Sequence, residues 1–256
     1  MGVGKYTPNL ALYGDMGWMP SIISQWTCIF RLWSRLTKMS HCRVNKKVFL
    51  WGNKCCNSKF RNWNYRVNVK FKEMDMEFLC NTDFSIDKNT IKQIEHENFC
   101  RYKEKWYSDL MYNERSKLRT YRMFKQCFNR EKYLCINMPG KYKSAYAKFR
   151  CGVAPLRIET GRYEGIMVDN RLCFNEQCKK NNIIEDEKHV LINCPVYADL
   201  RAILFRHASS FNCDFVNLSD DDKFKFLFTD ENVCYFLAKI CYDVLLKRKG
   251  ILYNCR

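Results

Sequence analysis

Between positions 171 and 195 the chain reads RLCFNEQCKKNNIIEDEKHVLINCP, and the side chains of Cys173, Cys178, His189 and Cys194 constrain the fold more than any other feature. With 16 cysteines in 256 residues, a C-x4-C pair is expected about once by chance. Only four histidines exist, however, and one of them forms H-x4-C just downstream of that pair. Three thiolates and an imidazole are a set that Zn²⁺ takes as a tetrahedron, and four protein ligands leave no open position for water or substrate, so the ion implied is structural. Asn181 and Asn182 suit the turn between the pairs, and Asp186 suits the cap of a helix carrying His189 in its first turn. On a regular helix His189 and Cys194 lie about 140° apart, so both reach one ion only if the helix ends before Cys194. Pro195 favours that ending by disfavouring helical geometry at the residue before it. Lys179, Lys180 and Lys188 stand ready to offset the charge of about −1 on such a centre. The competing reading is a set of buried thiols serving as small hydrophobes. A second group, Cys28, His41, Cys42, Cys55 and Cys56, lacks ligand spacing.

The cysteine count would suit a disulfide scaffold in a small secreted protein, but the chain is large, and its start lacks a charged region followed by an apolar one. The expectation is a reducing compartment, nucleus or cytoplasm. Tyr6 stands where a myristoylation signal needs Ser or Thr. The longest apolar run, VCYFLAKICYDVLL, is broken by Lys239 and Asp243, so no membrane span is expected.

Forty-four Lys and Arg against 27 Asp and Glu give a net charge of +17, which points to a polyanionic partner. The charge is concentrated between positions 115 and 150, where Arg115, Lys117, Arg119, Arg122, Lys125, Lys141, Lys143, Lys148 and Arg150 are the candidate phosphate contacts and Glu131 is the single acid. Aromatic residues interleave with them, and Met138-Pro139-Gly140 marks a turn, so the stretch reads as a basic two-helix hairpin. Leu118, Tyr121, Phe124 and Phe128 also have core spacing, the alternative use of those rings.

Elsewhere the spacing predicts an amphipathic helix over 22–38 with Arg31, Arg35 and Lys38 on its outer face, and a helical stretch over 84–113 behind Ser85-Ile86-Asp87. Residues 52–72 read as irregular, with RVNVKF as a short strand. The last helix is expected to be capped by Thr229, to bury Val233, Phe236, Leu237, Ile240, Val244 and Leu245, and to end in Lys247, Arg248 and Lys249 before Gly250. Asp220, Asp221 and Asp222 read as a helix start behind Ser219; without partner acids they do not make a metal nuclease. The fold class expected is mainly α: a helical bundle with a small Cys3His zinc-binding element, few or no strands, and segments 1–83, 84–164 and 165–256.

The segments GVGKYTPN (2–9), YGDMGWMP (13–20), KLRTYRMFK (117–125), KSAYAKFRCGVAPLRIETGRYE (143–164), EDEKHVLINCPVYADLR (185–201) and DDKFKFLF (221–228) together resemble the region downstream of the polymerase in reverse transcriptases of non-long-terminal-repeat retrotransposons. The resemblance implies that Gly2 to Asn9 is the end of a polymerase thumb and that the rest is a tail with its zinc-binding element, gripping template RNA or target DNA. Such sequences usually carry C-x2-C where Cys173 and Cys178 enclose four residues, and acidic residues where His41-Cys42 stands here. The paired aspartates that hold Mg²⁺ in a polymerase palm are missing: VYADL and FTDEN do not supply them. The expectation is therefore a non-enzymatic nucleic-acid binder, with a zinc-stabilised module docking on a polymerase core as the alternative.

Overall fold

The computed structural model describes residues 2–57, 59, 61–112 and 117–254. The α-helices are α1 (Asn9–Met16), α2 (Ser21–Thr37), α3 (Val44–Lys54), α4 (Trp63–Glu73), α5 (Lys88–Tyr112), α6 (Tyr121–Phe124), α7 (Gly140–Arg150), α8 (Arg157–Tyr163), α9 (Glu176–Lys180), α10 (Ala198–Ser209), α11 (Asp220–Thr229) and α12 (Glu231–Asn254). Among the described residues there is no β-sheet, only an isolated antiparallel bridge between Leu172 and Ile184. The mainly α expectation holds. The boundaries differ from the expected three segments: one compact unit joins Met1–Trp18 to Lys105–Arg256, and a smaller one is Met19–Glu104.

The smaller unit is organised by rings. Phe30 and Trp33 on α2 meet Phe49 of α3 and Phe71 of α4, with Phe30 stacked on Phe71 at 5.2 Å and Trp33 edge-on to Phe49 at 4.9 Å. Ile86, just ahead of α5, and Ile91 and Ile94 on its first turns complete this core. Of the stretch 52–72 expected to be irregular, the described residues between α3 and α4 are so, but RVNVKF, expected as a strand, lies in α4. Val67 and Phe71, four apart, are buried together, and the Asn62 carboxamide accepts from the Tyr65 N–H to start the helix. At α5, Asp87 Oδ1 accepts from the N–H groups of Asn89 and Thr90, as the sequence suggests.

In the larger unit, α7 packs along α12 while α10 and α11 also lie against α12. The stripe on α12 buries Val233, Leu237, Ile240 and Val244 as expected, with Ala238 and Cys241 beside them. Two details differ. Asp230, not Thr229, caps α12, accepting from the N–H groups of Asn232 and Val233, whereas the Thr229 hydroxyl donates to Lys225 O at the end of α11. The helix also runs on through Gly250, and Arg248 is buried, not a solvated terminal charge. The basic two-helix hairpin is corrected as well: its first arm is the four-residue α6, after which Lys125 turns the backbone extended, and only the second arm, α7, is a full helix.

Gly17 ends α1 in the left-handed region, φ 62°, its N–H donating to Tyr13 O. A Cβ there would lie 2.5 Å from the Arg130 backbone nitrogen. This close approach lays residues 129–131 across the end of α1, where Glu131 N–H donates to Asp15 O at 2.8 Å. Gly17→Ala is expected to lower stability by roughly 1–2 kcal/mol through the positive φ alone, and more through the clash, read as a fall in thermal midpoint.

Candidate metal centre

Two short pieces of extended chain set the first pair of ligands. Cys173 N–H donates to Ile183 O at 2.9 Å and Glu185 N–H to Arg171 O at 3.1 Å, which holds 171–173 against 183–185. Between them Asn175 starts α9 by accepting from Cys178 N–H at 3.2 Å, and Asn182 turns back at φ 53° so that Ile183 N–H reaches Cys178 O. Four intervening residues therefore form one capped turn, and Cys173 and Cys178 face the same point.

The second pair depends on an unusual turn. Asp186 Oδ1 accepts from His189 N–H at 2.8 Å, as expected of a cap, but the chain from His189 to Asn193 then winds as a π-helix. Cys194 N–H donates to His189 O at 2.8 Å, an i→i+5 bond in place of the regular i→i+4. The extra residue in the turn narrows the angular offset that separates such side chains on a regular helix. Cys194 itself is extended, ψ 124°, ahead of Pro195, so the helix ends where the sequence indicates. Val190, Leu191 and Ile192 fill the core side of the turn.

All four candidate ligands are buried, and their ligand atoms lie within 4.8 Å of one another. Cys173 Sγ and Cys194 Sγ are 3.8 Å apart. A tetrahedron with Zn–S bonds of about 2.3 Å has an edge of about 3.8 Å, whereas a disulfide needs about 2.05 Å. His189 Nε2 is buried without a hydrogen-bond partner, a state that costs free energy unless something else binds the ring. Hydrogen bonding to Cys194, and then burial, push the Cys173 thiol up to about 12; burial raises Cys178, and the bond from Cys173 lowers Cys194. A buried Cys3His cluster that could hold a metal ion is thus present. Among the described residues, no other group of three or more His, Cys, Asp or Glu has this geometry, and Cys28, His41 and Cys42 are exposed.

Two buried carboxylates brace the ligand turn, and the sequence reading missed both. Glu185 accepts from Arg248 Nε at 3.0 Å and Nη2 at 2.7 Å, and from Arg157 N–H at 2.6 Å. Glu187 pairs with Arg119 at 2.5 Å; burial pushes its carboxyl up to about 7 against the pull of that guanidinium. The signal was the alternation Glu185-Asp186-Glu187 beside His189, but the partners lie far away in sequence. Arg201 Nη1 donates to Cys194 O, and Lys188 pairs with Asp221. Asp220 accepts from Asn193, and Ser219 caps α11 by accepting from Asp222 N–H, so the acidic run is a helix start.

No family model, curated protein or solved structure matches this chain.

The candidate phosphate contacts divide sharply. Arg150 and Lys125, each 1 % exposed, do not reach a phosphate: Arg150 binds Asp15 and Glu131, and Lys125 binds Glu131 and Asn129. Lys117 is paired with Glu159 at 2.7 Å, and Arg119 with Glu187. Lys125 and Arg150 are corrected from surface contacts to internal ion pairs, because burying an unpaired cation is costly and the fold supplies each a carboxylate, whereas Lys117 and Arg119 are half-buried with their charges paired. Arg122 donates to Met111 O, and Lys143 to Leu134 O. Arg115 lies outside the described residues. Lys141, exposed, and Lys148, half-buried, lie along α7 without a carboxylate partner among the described residues. Lys249 of α12, which the sequence assigned to helix termination, joins them. They line a groove of ≈ 580 Å³ between α7 and α12, floored by Ala145, Leu245 and Tyr242. Lys141 Nζ sits 5.3 Å from the Tyr142 ring centre and 5.0 Å from that of Tyr242. No helix among the described residues is long and apolar enough to cross a membrane.

Proposed function

We propose that this chain is a non-catalytic nucleic-acid-binding module whose Cys3His centre carries a structural Zn²⁺, in keeping with its resemblance to the tail of a retrotransposon reverse transcriptase. One observation carries the reading: Lys141, Lys148 and Lys249 line a groove that also contains Tyr242 and Tyr253, the combination of backbone-tracking cations and stacking rings that holds a single strand. Zn²⁺ is the ion of choice because a buried thiolate-rich tetrahedron favours it. The ion contributes no open coordination position; its work is to hold 171–195 in place beside this groove, with which the pocket next to Cys173 shares Arg248 and Leu252.

The test is binding of an unstructured RNA and its DNA equivalent across a salt series. Three phosphate contacts on a single strand give a logarithmic salt slope of about −2, and Lys148→Glu/Lys249→Glu is expected to weaken binding about tenfold or more. Salt-independent binding, or none at about 50 mM salt, ends this reading. The apolar floor at Leu245, Leu246 and Leu252 favours one second reading, a polymerase core or other protein seated in the same groove. A complex that survives nuclease treatment distinguishes it.

A further inference from the structure

The smaller unit carries a cationic cleft that the reading above does not use. Arg31, Arg35, Lys38, Arg43, Lys88 and Lys92 surround a cavity of ≈ 910 Å³ between α2, the turn that follows it and the start of α5. All six are exposed. Arg31 makes a loose 3.7 Å pair with Glu95; among the described residues the other five have no carboxylate within 4 Å. Asp87, whose carboxylate feels Lys38, is committed to the N-terminus of α5 through Asn89 and Thr90.

Cations at the end of α2 favour its negative pole, which accounts for one or two of them but not for six. A cleft lined by one sign of charge focuses its field and raises the local concentration of counter-ions. The form of the cleft selects among anions. Arg31, Arg35 and Lys38 follow one helix face over about 10 Å, and Lys88 and Lys92 follow the opposite wall over about 6 Å. This is a double row, and the one buried polar side chain on its wall, Ser34, is spent on the Ile86 carbonyl, so nothing converges on a point as a compact phosphate would require. Its remaining walls are Met39, Ile86, Ile91 and two serines, with no ring on which a base could stack.

We infer that this cleft binds the phosphodiester backbone of a nucleic-acid strand without reading its bases. The inference deepens the proposed function, adding a sequence-blind site to the tyrosine-lined groove. The test uses the full chain and a fluorescein-labelled abasic phosphodiester strand, with anisotropy as the readout. The wild-type chain binds this strand; Arg35→Glu/Lys38→Glu on one wall and Lys88→Glu/Lys92→Glu on the other each weaken it about tenfold or more. Each pair also lowers the salt slope by about 1.4, because every phosphate left without its cation subtracts about 0.7. Circular dichroism checks that both variants, altered only at exposed positions, remain folded. Lys148→Glu/Lys249→Glu weakens base-bearing RNA, which the groove's rings also hold, by more than it weakens the abasic strand. Abasic binding that is absent, that is unchanged in both wall variants, or that inorganic pyrophosphate displaces at equal concentration overturns the inference. If the wall variants act as stated while Lys148→Glu/Lys249→Glu is silent on every strand, the cleft stands and the groove reading falls.

Discussion

Cys173→Ser and His189→Ala should each yield protein with less than stoichiometric zinc and a thermal midpoint lower by about 10 °C or more. The size follows from what the centre replaces. Structural zinc contributes apparent binding free energies of about 10–16 kcal/mol in small domains, where the metal supplies nearly the whole fold. This unit also has a core built on α7, α10, α11 and α12, so a smaller share is at stake. Even about 4 kcal/mol, at roughly 2–4 °C per kcal/mol for a domain of this size, gives the stated shift. The loss is specific because the groups that remain, two thiols and the ring in Cys173→Ser or three thiols in His189→Ala, stay buried together without a shared ion, and in Cys173→Ser the His189 Nε2 has nothing else to bind. Released, the π turn between His189 and Asn193 has no reason to persist, and Val190, Leu191 and Ile192 lose their register against the core. Cys234→Ser provides the control: that thiol is buried on α12 outside the cluster, so its replacement should leave zinc at one per chain. Elemental analysis that finds no metal in a fully folded wild-type chain would falsify the assignment.

The four candidate ligands were legible in the sequence because they fall within one short stretch and their chemistry narrows the choice. The π turn that makes them converge was legible only as a requirement, that the chain leave regular helix before Cys194. The fate of the cations was not legible. Glu131 is the one acid within 115–150, so that window looks uncompensated, yet the balancing carboxylates come from elsewhere: Lys117 reaches Glu159 42 positions on, Arg119 reaches Glu187 at 68, and Arg150 reaches Asp15 at 135. Charge runs report a surface only where the fold supplies no partner, and that is decided by tertiary structure. The helix α4 was misread for a related reason. RVNVKF alternates apolar and polar residues, and Val67 with Phe71 fits periods of two and of four equally well; the Asn62 cap and the rings of α2 and α3 select the helix.

Asp15→Ala is expected to cost about 3–5 kcal/mol, the largest loss predicted for any position outside the metal centre. Asp15 is fully buried on α1, where its Oδ1 accepts from Tyr121 Oη at 2.8 Å and its Oδ2 from Tyr133 Oη at 3.0 Å and Arg150 Nε at 3.0 Å. Arg150 continues the network to Glu131 at 2.8 Å and to Phe228 O at 3.1 Å, with Phe124 under its guanidinium at 4.6 Å. Desolvation opposes the charge on Arg150, and Asp15 with Glu131 restores it. Deleting the aspartate strands that cation between Glu131 alone and two phenols without their acceptor. The alternative explanation, that Asp15 matters only as packing, predicts that a second change at Arg150 adds its own penalty. The ion-pair account predicts the reverse: Asp15→Asn/Arg150→Met should be more stable than Asp15→Asn alone, because an apolar side chain no longer requires an anion in the core. Chemical denaturation of the two single variants and the double variant measures the coupling. A double variant at or below the stability of Asp15→Asn would show that the charges are not what holds α1 to α7.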